Sequence, residues 1–210
     1  MNKCLLTFIA FFIFSSPSLS EVKLTKLLDQ LNSPWSLTVV EDQIYLITEK
    51  SGNLVLFNKT RNIKKNIKHN LSILEDGQGG LLDVLYHKGY VYVSYSENRG
   101  SGKSSTSAAR AKFNKNELNF TNIFQANPPI NSGYHFGSRL VIKGEHLYIS
   151  AGERGGDEIA QDPKSHPGSI IRVHLDGSIP KNNPKFKGKP NWLPEIYQIG
   201  IRNVQGMALS

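Results

Sequence analysis

Short runs of β-branched, leucine and aromatic residues, each ended by a polar or glycine-bearing turn, repeat along the chain from residue 36 onward. Ser36-Leu37-Thr38-Val39-Val40 breaks at Glu41-Asp42 and resumes as Gln43-Ile44-Tyr45-Leu46-Ile47-Thr48-Glu49; Ser51-Gly52-Asn53 then turns the chain into Leu54-Val55-Leu56-Phe57. Runs of this length and composition predict strands, and a short polar break between two of them predicts a tight turn. The arrangement returns as Leu81-Leu82-Asp83-Val84-Leu85-Tyr86, a turn at His87-Lys88-Gly89, Tyr90-Val91-Tyr92-Val93-Ser94-Tyr95, and a third strand over 108–113. It returns again as Arg139-Leu140-Val141-Ile142, a turn at Lys143-Gly144-Glu145, His146-Leu147-Tyr148-Ile149-Ser150-Ala151 and, after a long excursion, a strand over 169–175. Val204-Gln205-Gly206-Met207-Ala208-Leu209 opens a fourth copy. No segment has the apolar period of an amphipathic helix.

The repeating unit is strand, tight turn, strand, loop, strand, with a period of roughly 45–65 residues, which predicts antiparallel blades around an axis. The expected fold is therefore all-β, a β-propeller. A sandwich stays open, but it gives no reason for the same three-strand unit to recur. About three units are complete, whereas propellers close with about four to eight, and an open one would leave a strand edge unpaired. The 210 residues are thus expected to be a piece of a longer protein, with residues 21–210 its N-terminal part.

Composition changes this picture at the N-terminus. Lys3, an apolar run over 4–14 and the small-residue segment Ser15-Ser16-Pro17-Ser18-Leu19-Ser20 have the layout of a secretory signal peptide over 1–20. The run is shorter than the roughly 20 residues of a membrane span. Its removal would take the only cysteine, Cys4, leaving no thiol, disulfide or thiolate metal site. The expected location is periplasmic or secreted, with no membrane span after cleavage. The formal charge of +8 lies almost wholly outside the signal. Its densest run, Lys59 to Lys68, lacks the interleaved aromatics of a single-strand binder; it reads as a solvated sheet edge, and no nucleic-acid partner is expected.

Candidate chemistry concentrates in three glycine-bracketed polar turns, each ahead of an apolar run: Gly77-Gln78-Gly79-Gly80, Ser132-Gly133-Tyr134-His135-Phe136-Gly137-Ser138-Arg139, and Gly200-Ile201-Arg202-Asn203-Val204-Gln205-Gly206. Loops feeding a rigid sheet are where reactive groups are usually placed. The other histidines show no metal-ligand spacing. The acids of Arg154-Gly155-Gly156-Asp157-Glu158 read as a solvated turn, not as a calcium loop.

These turns closely resemble the soluble sugar dehydrogenases that use pyrroloquinoline quinone (PQQ), the glucose/sorbosone dehydrogenase family. The likeness runs along the mature chain, through Leu31-Asn32-Ser33-Pro34-Trp35, Thr48-Glu49-Lys50-Ser51-Gly52, Ala151-Gly152-Glu153-Arg154-Gly155-Gly156, His166-Pro167-Gly168 and Asp176-Gly177-Ser178-Ile179-Pro180. Through His135-Phe136-Gly137-Ser138-Arg139 it looks closer to the bacterial aldose sugar dehydrogenases. The resemblance implies a six-bladed β-propeller of which this chain covers roughly the first half. It implies oxidation of an aldose at the anomeric carbon to its lactone, with PQQ and calcium as cofactors and an external electron acceptor. His135 would be the general base and Glu153, where the family usually has aspartate, its orienting carboxylate; Gln78, Arg202 and Asn203 would contact cofactor and substrate. In the family the calcium is held largely by backbone oxygens after the arginine turn, so no metal ligand is assigned here. The role of Gln205, and whether the protein forms a homodimer, stay open. The alternative function is a non-catalytic propeller binding a glycan or a protein through the same loops.

Overall fold

The computed structural model describes residues 22–185, 188 and 191–209, so the predicted signal segment lies outside the described residues. The chain forms three sheets in succession, each antiparallel through its four main strands. The first holds β1 (Pro34–Glu41), β2 (Ile44–Glu49), β3 (Leu54–Asn58) and β4 (Ile63–His69); the second holds β5 (Leu81–His87), β6 (Tyr90–Asn98), β7 (Ser104–Lys112) and, after the short β8 (Glu117–Leu118), β9 (Thr121–Gln125). The third holds β10 (Gly137–Lys143), β11 (His146–Ala151), β12 (Ser169–His174) and β13 (Ile196–Ile199). Among the described residues the only helical element is a 3₁₀ turn, Asp157–Gln161.

Each unit therefore has four strands where the sequence predicts three. The lysine-rich run, expected as a sheet edge, supplies β4, of whose residues only Ile67 is fully buried. The other outer strands, β9 and β13, are only five and four residues long and mix polar and apolar residues without alternation, so they carry no strand pattern. The expected fourth copy over 204–209 forms no strand.

The hairpins follow from local chemistry. Lys88 and Gly89 both have positive φ, +48° and +81°, as a two-residue turn matching the right-handed twist of its strands requires. Packing follows from period-two alternation. Val91, Val93 and Tyr95 of β6 join Leu46, Leu54 and Leu56 in a core between the first and second sheets. Tyr92, between them in sequence, points the other way, into a core with Leu140, Leu147, Ile149 and Ile171 of the third sheet. The middle strands are buried on both faces, which is why their sequences are nearly continuous in apolar residues. The connection through β8 reaches back to pair with β4 and buries Leu118 in the first core.

The inner strands β1, β5 and β10 lie side by side, each with an irregular register near its start, at Pro34/Ser36, Leu81/Val84 and Gly137/Leu140. One device repeats there. The N–H of Ser36, Asp83 and Arg139 donates to a buried or part-buried hydroxyl on the neighbouring strand: Thr48 Oγ1 (3.1 Å), Ser94 Oγ (3.0 Å) and Ser150 Oγ (2.9 Å). Each hydroxyl in turn donates onward to a carbonyl, Thr48 to Leu82 (2.5 Å), Ser94 to Ser138 (2.5 Å) and Ser150 to Val204 (2.7 Å). Val204 thus occupies the place of Leu82 and Ser138, and the three glycine-bracketed turns precede equivalent points of successive units.

Candidate functional site

The three polar turns meet. Gln78 N–H donates to the Gly133 carbonyl at 2.7 Å, and the loops approach so closely that a Cβ at Gly77 would sit 2.5 Å from that oxygen. A Cβ at Gly152 would fall 2.0 Å from the His135 carbonyl. Side chains larger than glycine would push the turns apart at both points.

Amides then brace them. Gln78 Oε1 accepts from His135 N–H at 3.0 Å and from Asn203 Nδ2 at 3.4 Å, while Asn203 Oδ1 accepts from Gly137 N–H at 2.9 Å. Two donors on one oxygen fix the orientation of the Gln78 amide. Its Nε2 is left without a protein partner among the described residues. Asn203, expected as a ligand contact, is largely committed to the frame.

His135 has φ of +47°, uncommon for a residue with a Cβ. Its Nδ1 bonds Glu153 Oε1, which fixes the proton on Nδ1 and leaves Nε2 as the acceptor. Glu153 lies just after β11 and is only 1% exposed; its longer side chain reaches the ring from a buried position, not from an exposed turn, and its Oε2 is a buried atom with no partner. The Arg202 carbonyl accepts from Glu153 N–H at 2.9 Å, and the Arg202 Nε lies 3.8 Å from Glu153 Oε1 with the side chain 76% exposed. The Arg202 Nη groups have no protein partner among the described residues, so a planar cationic fork stands open beside the histidine.

Two parts of this site are missed by the sequence reading. Arg154, assigned no role of its own from the sequence, is buried; its guanidinium lies 3.6 Å over the Phe136 ring and donates to the carbonyls of Tyr134 (3.0 Å), Ser104 (2.8 Å) and Ser132, and to Ser104 Oγ (3.0 Å). Burial pulls its pKa down to about 10, so it stays charged at neutral pH. Only the glycines after it hinted that the strand ends there.

Asp83 is the second. Its carboxylate accepts from Ser36 Oγ (2.6 Å), Val84 N–H (2.9 Å), Arg139 Nη1 (3.0 Å) and Leu140 N–H (2.7 Å), joining all three sheets. Burial raises its pKa against these four donors. A lone carboxylate inside Leu81-Leu82-Asp83-Val84-Leu85 was the available signal, because such a group must be paired. Arg139 also stacks on Trp35 at 4.6 Å and donates from Nε to the carbonyl of the exposed Gln205 at 2.8 Å. Asp157 and Glu158 are exposed in the 3₁₀ turn, and no group of three or more histidine, cysteine or carboxylate side chains able to hold a metal occurs among the described residues.

The sequence profile of the Glucose / Sorbosone dehydrogenase family matches residues 31–210. The aldose sugar dehydrogenase YliI of Escherichia coli (strain K12) is 31% identical over 208 residues, covering 94% of this chain and 55% of that protein. The quinoprotein glucose dehydrogenase B of Acinetobacter calcoaceticus is 27% identical over 218 residues, covering 88% and 45%. A crystal structure of a glucose dehydrogenase superposes with a TM-score of 0.80 at 31% identity, over 85% of this chain and 55% of that one. The chain thus spans about half the length of these relatives, and it belongs to the Glucose / Sorbosone dehydrogenase family.

Proposed function

We propose that the protein is a PQQ-dependent aldose dehydrogenase that oxidises the anomeric carbon of a sugar to a lactone. The observation that carries this reading is the His135–Glu153 pair, with Nδ1 committed to a buried carboxylate and Nε2 uncommitted next to an open arginine fork. The donors fit PQQ, a planar quinone bearing three carboxylates: Arg202 offers two free Nη groups to a carboxylate or quinone oxygen, and Gln78 Nε2 offers a further hydrogen. When bound, the quinone would supply the acceptor for the hydride that leaves the sugar.

The protein's own share is proton transfer and orientation. Nε2 takes the proton of the anomeric hydroxyl as hydride leaves the same carbon, so the ring becomes an imidazolium. The Glu153 carboxylate faces the charge that develops and holds the ring in one tautomer. Asn203 and Gln78 keep the histidine and arginine turns at fixed spacing, which is where positioning contributes to rate. Calcium, the external electron acceptor and a periplasmic or secreted location complete the proposal on the family likeness and the N-terminal pattern; no step above uses them.

The intact protein, supplied with PQQ and calcium, should reduce an artificial dye when given an aldose, and omitting PQQ should abolish this. His135→Ala should lower turnover by roughly 10²–10⁴-fold with PQQ affinity changed only a few-fold. Arg202→Ala should do the reverse, chiefly weakening PQQ binding. Equal turnover with NAD in place of PQQ would overturn the cofactor. Sugar binding without any turnover would favour the glycan-binding propeller.

A further inference from the structure

Tyr134, immediately before the histidine, has no task in the mechanism above, yet its side chain is the feature of that loop most open to solvent. It is 62% exposed, the most exposed large apolar side chain among the described residues after residue 24. Exposure at a loop tip ordinarily accompanies a loosely held backbone. Here the opposite holds. The Tyr134 carbonyl accepts from the buried Arg154 guanidinium at 3.0 Å, its N–H donates to Ser132 Oγ at 3.2 Å, and the next residue's N–H is held by Gln78 at 3.0 Å. Gly155 lies alongside, where an added Cβ would come 3.8 Å from the tyrosine Cβ and Cδ2. The ring centroid is 6.1 Å from that of His135, with the planes inclined at 57°. The fold thus commits a buried arginine and several hydrogen bonds to fixing the backbone of an aromatic residue that it leaves uncovered.

Resting on the aldose reading, we propose that Tyr134 is a specificity-determining residue: an aromatic platform that takes the C–H face of the sugar ring while His135 Nε2 meets its anomeric hydroxyl. A pyranose has polar edges and an apolar face, and an aromatic ring with two side-chain torsions presents a large apolar surface at small entropic cost. A fixed backbone lowers that cost further. The angle between the two rings suits two functions on adjacent sides of one sugar, a base at its edge and a platform on its face. Contact of this kind acts on the bound ground state and the transition state alike, so its loss raises KM and leaves kcat alone.

The test compares Tyr134→Ala, Tyr134→Leu and Tyr134→Trp in the intact, PQQ-loaded protein with D-glucose as the probe, alongside melting curves and PQQ titrations. Aromatic stacking contributes about 0.5–1.5 kcal/mol beyond area burial, so the alanine and leucine variants should show KM raised about two- to twelvefold. Their kcat should stay within about twofold, with melting and PQQ affinity unchanged. Tyr134→Trp should keep KM near that of the wild type. An active wild type with unaltered KM in Tyr134→Ala would overturn the platform alone. So would a fall in kcat at constant KM, which would put the ring in support of the base. A wild type that reduces no dye with PQQ and glucose would overturn the aldose reading and the platform with it.

Discussion

His135, Ser138 and Arg154 all have positive φ, +47°, +75° and +63°; the first two lie in the histidine turn, and Arg154 in the turn after β11 that packs against it. Such conformations cost of order 1–3 kcal/mol each unless their surroundings fix them, and they gather at functional positions. Arg154 is the residue that fixes this one. Replacing it with alanine should destabilise the protein by about 3 kcal/mol, because it leaves three carbonyls short of a donor in or near the interior. It should also lower turnover, although the guanidinium touches only the back of the loop. Arg154→Lys should recover little of either, since an ammonium cannot span four acceptors as a planar fork does. A melting temperature and turnover close to those of the wild type in Arg154→Ala would show that the loop is held by other contacts. At this scale the sequence discloses the residues that face outward from the turns, Gln78, His135 and Arg202, because glycines bracket them. It does not disclose Arg154 or Asp83, whose importance lies in what they are buried against.

At the scale of elements, the hydroxyl relay between sheets is the strongest regularity. Thr48, Ser94 and Ser150 each follow a β-branched residue in the second strand of their unit, so the positions were visible, but nothing in the sequence says that they are buried or face an irregular strand start. Ser94→Ala would leave the Asp83 N–H and the Ser138 carbonyl without this partner in the interior. At about 1–3 kcal/mol per stranded group, the loss should be at least about 2 kcal/mol, read as a lower denaturation midpoint. Ser150→Ala should cost a similar amount and add a functional effect. Its relay ends on Val204, two residues after Arg202, so PQQ affinity should weaken there and not in the Ser94 variant. Equal PQQ affinity in the two variants would separate the relay from the site. The outer strands β9 and β13 escaped the sequence reading for a related reason. At the rim of a sheet the burial that imposes an apolar pattern is weakest, and Thr121, Asn122 and Gln125 of β9 are all exposed.

Across the whole molecule, the three sheets stack through two cores, and the middle sheet feeds both from alternate residues of one strand. That much was legible, because continuous apolar runs with tight turns leave few other arrangements. The seam at the other end of the third sheet was not. His146 and His174, paired across β11 and β12, stack with centroids 4.9 Å apart and planes 25° from parallel. Arg172 Nη2 approaches His146 Nε2 at 3.1 Å; a guanidinium can only donate, so Nε2 must carry a lone pair and His146 must be neutral. Desolvation, followed by the charges of Arg172 and His174, holds its pKa below the ordinary value, while Glu145 opposes this only in part. The unfolded chain therefore binds this proton more readily than the folded one. The stability that His146 contributes is fully present above its ordinary pKa of about 6.5 and is lost as pH falls below it. The melting temperature should decline between about pH 7 and pH 5, and His146→Gln, whose amide oxygen keeps an acceptor for Arg172 without taking a proton, should flatten part of that decline at little cost near neutrality. If the variant declines as steeply as the wild type, the loss of stability belongs to other groups, and the histidine stack is only a packing contact.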